Sequence, residues 1–178
     1  MRIISGKYKG RKIEGFNIEG TRPTMDRVKE SLFGSIQNYI KDSVVLDLFA
    51  GSGSLGIEAL SNGAKLCYFS DNSKEAINVL NKNLKDIDNS YVIKSDYKDA
   101  LNILEEKNME FDIIFLDPPY KLNLINDSIK RILEYNLLNK DGILVCEYET
   151  ENIDCDLELI KEKRYGTTYV KIYKNINK

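Results

Sequence analysis

Residues 44–56 read V-V-L-D-L-F-A-G-S-G-S-L-G. Val44, Val45 and Leu46 make a short apolar run suited to a strand buried on both faces. Asp47 stands where that strand should end. Gly51, Gly53 and Gly56 follow at G-x-G-x-x-G spacing, and Leu55, Ile57, Ala59 and Leu60 open an apolar helical pattern. Strand, glycine turn and helix form the first unit of a nucleotide-type α/β site. The glycines let backbone approach a ligand, and the helix start behind them offers N–H groups. The spacing alone also fits a tight turn with no ligand. An acid at the strand end, and a second motif 70 positions on at Asp117, favour a site.

Outward from this unit the alternation continues. Leu66-Cys67-Tyr68-Phe69 reads as a second strand ending at Ser70-Asp71-Asn72. A helix over Lys74–Leu84 follows, capped by Asp71 or by Ser73. Tyr91-Val92-Ile93 is a third strand ending at Ser95-Asp96-Tyr97, and Ala100–Lys107 reads as helix. Phe111–Leu116 is a fourth strand running into Asp117-Pro118-Pro119-Tyr120. A helix over Leu124–Tyr135 leads to a fifth strand, Gly142–Glu147. Leu157–Lys163 and Thr168–Tyr173 are joined by a short turn and should form a hairpin. The pattern predicts an α/β fold: a seven-stranded, mostly parallel sheet with one antiparallel strand and helices on both faces.

Ligands in such sheets bind beyond the carboxyl ends of the strands. Asp47, Asp71, Asp96 and Asp117 all end strands, so the four should converge on one rim. Asp71 lies 20 positions after Gly51, where an acid can accept hydrogen bonds from ribose hydroxyls. At Asp117-Pro118-Pro119 two prolines fix φ twice and remove two N–H donors. The Pro118 carbonyl and the Asp117 carboxylate then stand as rigid acceptors, and Tyr120 offers an aromatic face. The set suits a planar ring bearing an exocyclic amine. Two acceptors on the amine hydrogens favour positive charge growing on nitrogen during attack, and the remainder is alignment.

The N-terminal stretch R-I-I-S-G-K-Y-K-G-R-K-I, residues 2–13, has turn signals at Ser5-Gly6 and Gly10. It reads as a small β-hairpin arm in which Arg2, Lys7, Lys9, Arg11 and Lys12 can meet phosphates and Tyr8 a base. Pro23 holds Arg22 extended, and Thr24 is placed to cap a helix through Tyr39. Val28, Leu32, Ser35, Ile36 and Tyr39 share one face of that helix, and Arg22 and Arg27 lie at its start.

The chain has 178 residues, 42% hydrophobic and 30% charged, which fits one globular domain. No apolar run approaches a membrane span and no signal-peptide core is present, so a cytoplasmic location is expected. With no histidine, a zinc site or a histidine-based triad is not expected. Cys67, Cys146 and Cys155 are scattered, the first two in strands, as buried thiols would be. Net charge is −2, unevenly spread: +4 over residues 1–30, −11 over 31–160 and +5 over 161–178. An acidic body with basic ends suits a protein that grips nucleic acid at its margins.

The stretches R-I-I-S-G-K-Y-K-G-R-K-I, T-R-P-T-M-D-R-V-K-E-S-L-F, D-L-F-A-G-S-G-S-L-G-I-E-A-L and D-P-P-Y closely resemble the RsmD-type enzymes that methylate guanine N2 in 16S ribosomal RNA. The resemblance covers most of residues 1–147. It implies a Rossmann-like class I S-adenosylmethionine (SAM)-dependent methyltransferase fold over 21–178, preceded by an RNA-binding hairpin arm over 1–20. It implies that Asp47, Phe49, Ala50, Gly51, Ser52 and Gly53 line a SAM pocket. Asp71 with Asn72 would meet the ribose, and Asp96 with Tyr97 the adenine. Asp117, Pro118, Pro119 and Tyr120 would be catalytic and hold the guanine. Arg2, Lys7, Lys9, Arg11, Lys12, Arg22 and Arg27 would hold RNA. The methyl would pass directly from sulfonium to N2, with no covalent intermediate and no metal. The implied partner is 16S rRNA within an assembling small ribosomal subunit, met by a monomer without membrane contact. Relatives often carry glutamate where the second strand here ends S-D-N, and the pI of about 5.4 confines RNA contact to a patch. An N6-adenine methyltransferase, or one acting on another amino group of nucleic acid or on protein glutamine, is the alternative, since D-P-P-Y accepts either amine.

Overall fold

The computed structural model describes residues 1–15, 23–119 and 122–177, with backbone alone at 23–25. The helices are α1 (Pro23–Ile40), α2 (Ser54–Ser61), α3 (Lys74–Asn83), α4 (Tyr97–Glu106) and α5 (Ile125–Glu134). The strands are β1 (Val44–Asp47), β2 (Leu66–Asp71), β3 (Ser90–Lys94), β4 (Phe111–Leu116), β5 (Leu138–Tyr148), β6 (Glu158–Tyr165) and β7 (Thr168–Lys174). They make one sheet in the order β3-β2-β1-β4-β5-β7-β6. Each helical crossover returns the chain parallel to its start. β7 runs antiparallel to both its neighbours, and only Gly166 and Thr167 separate it from β6, which makes that pair a hairpin.

From β1 the chain proceeds outward through β2 to β3, then crosses back to β4 on the other side of β1. The crevice between the β1 and β4 ends is therefore the switch point of the sheet, where such folds take ligands. Val44–Leu46 of β1, Ile113–Leu116 of β4 and Ile143–Cys146 of β5 are apolar without polar alternation because both faces are covered there, whereas edge strand β6 is exposed along nearly all its length. Val45, Ile113, Phe115 and Val145 pack with α1, α2 and α3 on one face. Leu46, Ile114, Leu116 and Cys146 pack with α4 and α5 on the other. Cys67 and Cys146 are buried free thiols.

Several boundaries differ from expectation. α1 begins at Pro23, so Thr24 lies in the first turn instead of capping it; proline suits the first helical position because its missing N–H has no partner there. β5 starts at Leu138, with a register irregularity opposite Phe111/Ile113. The N-terminal segment is a looser hairpin than a strand pair, with one antiparallel bridge, Arg2 with Lys12, and with the Ile3, Gly10 and Ile13 N–H groups donating to the Arg11, Ile3 and Met1 carbonyls. Its ladder is short because its backbone is engaged elsewhere: Ile4 and Ser5 donate their N–H groups to the Glu58 carboxylate at 2.9 and 3.1 Å. Ile3 and Ile13 are buried in the same core as α1 and α2. No helix among the described residues is long and apolar enough to cross a membrane.

Candidate active site

One cavity of about 860 Å³ opens at the carboxyl ends of the strands. Asp47, Asp71, Asp96 and Asp117 all reach it, as do Phe49, Ala50, Gly51, Ser52, Asn72 and Tyr97. Pro118 and Pro119 line it as well, so the glycine turn after β1 and the tip of β4 share one space. Gly53 sits beneath the wall, buried, as the first residue before α2. Its φ of 86° is left-handed, and an added Cβ would lie 2.5 Å from Leu80 Cδ1, so only glycine turns the chain here without strain. Arg22 and Tyr120 lie outside the described residues.

Each strand-end acid has a separate task. Asp47 is 1% exposed. Its Oδ2 accepts the Gly56 N–H at 3.0 Å, and its buried Oδ1 has no hydrogen-bond partner. Burial raises its pKa to about 7, against the Gly56 hydrogen bond and with help from the Asp71 charge. Asp71 Oδ2 accepts the Gly51 N–H at 2.9 Å and Oδ1 the Ser73 N–H at 3.0 Å. It thus braces the glycine turn, and Ser73 is the residue that caps α3. Asp96 caps α4 by accepting the Asp99 N–H at 2.8 Å. The glycine turn consequently offers fewer N–H groups than its sequence suggests, because carboxylates take those of Gly51 and Gly56.

Phe49 and Tyr97 stand with ring centroids 5.4 Å apart, tilted by 41°. The Tyr97 hydroxyl donates to Asp127 at 2.6 Å. Desolvation, then that bond, push its pKa up to about 12. The hydroxyl stays protonated and the ring is pinned as an aromatic wall.

On the opposite side stands an acid that strand-end reasoning missed. Leu116 of β4 pairs with Cys146 of β5, so Asp117 and Glu147 are level on adjacent parallel strands. Both line the cavity, on the face that carries Phe115 and Val145. Asp117 hydrogen-bonds Glu147, and its carboxyl is held well above the ordinary carboxylate range by burial, then by the charges of Glu147 and Asp47. Glu147 ends a strand that is plain in the sequence, so the rule that picked out the four aspartates applies to it equally.

Lys29, on the α1 side of the cavity, was also missed. It is 3% exposed and pairs with Glu58, itself fully buried, at 3.2 Å. Lys29 Nζ also donates to the Arg2 carbonyl and to Ser54 Oγ. Desolvation lowers the Lys29 pKa, and Glu58 opposes the shift. This buried pair knots α1, α2 and the N-terminal loop together. The loop also meets α2 through Lys7 N–H to the Ser61 carbonyl at 2.7 Å. At Gly6, with φ +87°, an added Cβ would lie 2.0 Å from that carbonyl oxygen, so this approach also requires glycine.

Arg2, Lys7, Lys9 and Lys12 are exposed on that loop and Arg27 on α1, while Arg11 is half-buried and donates to the Lys85 carbonyl. Tyr8 packs against the core, with Lys7 Nζ 5.3 Å from its ring centroid. Tyr165, Gly166 and Thr167 of the β6–β7 turn also line the cavity. Among the described residues, no His/Cys/Asp/Glu group is arranged to hold a metal ion.

The chain is 40% identical over 182 residues to the ribosomal RNA small subunit methyltransferase D of Haemophilus influenzae, covering 98% of this chain and 94% of that protein. The solved Escherichia coli structure of yhhF matches with TM-score 0.86 and 32% identity, over 100% of this chain and 99% of that one. SMU.776, solved in complex with SAH, shares the fold at TM-score 0.72 and 16% identity, over 87% of this chain and 50% of that one. The family described as conserved hypothetical protein 95 matches residues 1–174. On that match and these likenesses, the chain belongs to the RsmD-type family of ribosomal RNA methyltransferases.

Proposed function

We propose that this chain transfers a methyl group from S-adenosylmethionine to the exocyclic N2 amine of one guanine in small-subunit ribosomal RNA. The observation that carries the reading is the acid-walled cavity joining the glycine turn to Asp117 and Pro118. A dinucleotide would bring a pyrophosphate to that turn, where Asp47 and Asp71 carboxylates already take the N–H groups. SAM instead carries an ammonium and a sulfonium. The unpartnered Oδ1 of Asp47 is a buried acceptor suited to a cationic ligand, and the Phe49–Tyr97 wall suits an adenine ring. The residues present therefore fit this cofactor. When bound, it supplies a methyl group on a positively charged sulfur.

The chain's own groups do the remainder. Asp117 and the Pro118 carbonyl accept the amine hydrogens and favour positive charge growing on N2. The rigid proline pair fixes the acceptors, so alignment needs little reorganisation. The guanine must be unpaired or turned out of its helix to enter. In this reading residues 1–20 serve as the RNA-holding arm of a methyltransferase domain over 21–178, with Arg2, Lys7, Lys9, Arg11, Lys12 and Arg27 on the phosphates. The natural substrate is the rRNA of an assembling subunit, met by a single copy of the chain.

Mass spectrometry of small-subunit rRNA from cells lacking the protein should show one N2-methylguanosine missing. The wild-type chain should restore it and Asp117→Ala should not, while the variant keeps SAM affinity within severalfold by calorimetry. Restoration by Asp117→Ala would remove the amine-acceptor role. An unchanged rRNA methylation pattern in the deletion strain would remove the function.

A further inference from the structure

We propose that Glu147 is the residue that selects guanine, by accepting the ring N1–H beside the amine that Asp117 accepts. The inference rests on the reading above and names the base-reading group within that site.

Guanine presents N1–H and the N2 amine side by side, two adjacent donors on one edge. The site presents two carboxyls side by side. Asp117 and Glu147 follow the Leu116–Cys146 register pair and project from one face of the sheet. Neighbouring strands are about 4.8 Å apart, and Asp117 and Glu147 are hydrogen-bonded to each other. A carboxylate has about four acceptor positions, so the contact with Asp117 does not exhaust Glu147.

Other amine substrates fail this test of shape. Adenine carries an acceptor at N1, which would face the Glu147 carboxylate with no hydrogen between them. A glutamine side-chain amide has no ring N–H at all. D-P-P-Y by itself accepts all three amines, so discrimination must come from a neighbour of Asp117. Glu147 is the acid level with it, on the wall of the same cavity.

The test compares guanine with 2-aminopurine, which keeps the amine on C2 but lacks the N1–H. Small-subunit RNA is ligated from a synthetic segment carrying either base at the mapped position and assembled into subunits, and kcat/KM is measured for each. Wild type should prefer guanine by about 100-fold, as expected for one hydrogen bond to a charged group. Glu147→Gln should narrow that preference to within about tenfold, since an amide can also donate to an unprotonated N1. Glu147→Asp, which keeps the carboxylate, should retain most of the preference. Thermal unfolding and SAM titration of each variant establish that the site is intact. Equal slowing on both bases by Glu147→Gln, or a wild type indifferent to the N1–H, overturns the assignment. A wild type that methylates neither base overturns the guanine reading with it.

Discussion

Asp47 is a buried carboxyl whose proton is held more tightly in the native state than in the unfolded chain. Its pKa is about 7 when folded against 3.8 for a free aspartate side chain. Between those values the native state binds more protons than the unfolded one, so stability falls as pH rises. The full swing is roughly 4 kcal/mol at the usual 1.36 kcal/mol per unit. Ligand-free protein should therefore lose Tm from pH 5 to pH 7.5, and Asp47→Asn should flatten that slope. A cationic ligand at Oδ1 favours the ionised form, so SAM should bind more tightly at pH 7.5 than at pH 5.5 in wild type. An equally steep Tm slope in Asp47→Asn would remove Asp47 as the cause. Asp117 gives a second pH prediction. Its raised pKa, caused by burial and then by Glu147 and Asp47, should place the acid limb of kcat/KM above the ordinary carboxylate range. Glu147→Gln removes the larger charge, so the limb should move toward acid. A limb that stays put would separate Asp117 from the observed titration.

At the scale of elements, the Lys29–Glu58 pair decides where the N-terminal loop sits. Removing one member of a buried pair strands the other charge, at a cost of about 3–5 kcal/mol. Glu58→Gln should therefore lower Tm by roughly 10 °C in a chain of this size. It should also speed deuterium uptake at residues 2–12, because Ile4 and Ser5 lose their carboxylate acceptor. Adding Lys29→Met should recover part of the Tm, since the stranded ammonium is gone. No change in exchange over residues 2–12 would mean that the Ser61 contacts alone hold the loop. Gly6→Ala tests those contacts separately: its Cβ collides with the Ser61 carbonyl, so the loop should lift while α1 and α2 stay paired through Lys29 and Glu58.

Over the whole molecule, charge and topology act together. Six acidic residues of the body, Asp47, Asp71, Asp96, Asp117, Glu147 and Glu149, line one cavity, a lining that suits a cationic cofactor, while the basic N-terminal loop is fixed to the α2 side of the same body. Reversing Lys7, Lys9, Arg11 and Lys12 to glutamate should weaken RNA binding and flatten its salt dependence, because fewer counterions are released. An unchanged salt slope would move RNA contact elsewhere. The sequence alone determined the layering, since short apolar runs alternating with helical patterns mark parallel strands covered on both faces, and glycine spacing marks the first turn. It also determined that Asp47, Asp71, Asp96 and Asp117 meet, since parallel strands carry their ends to one rim. Only the tertiary structure decided what each acid does there. Hydrogen bonding and burial depend on neighbours distant in the chain: Gly51 on Asp71, Glu147 on Asp117 and Glu58 on the loop 53 residues before it. No local pattern encodes those partners, because they are set by how layers close on one another rather than by spacing along the chain.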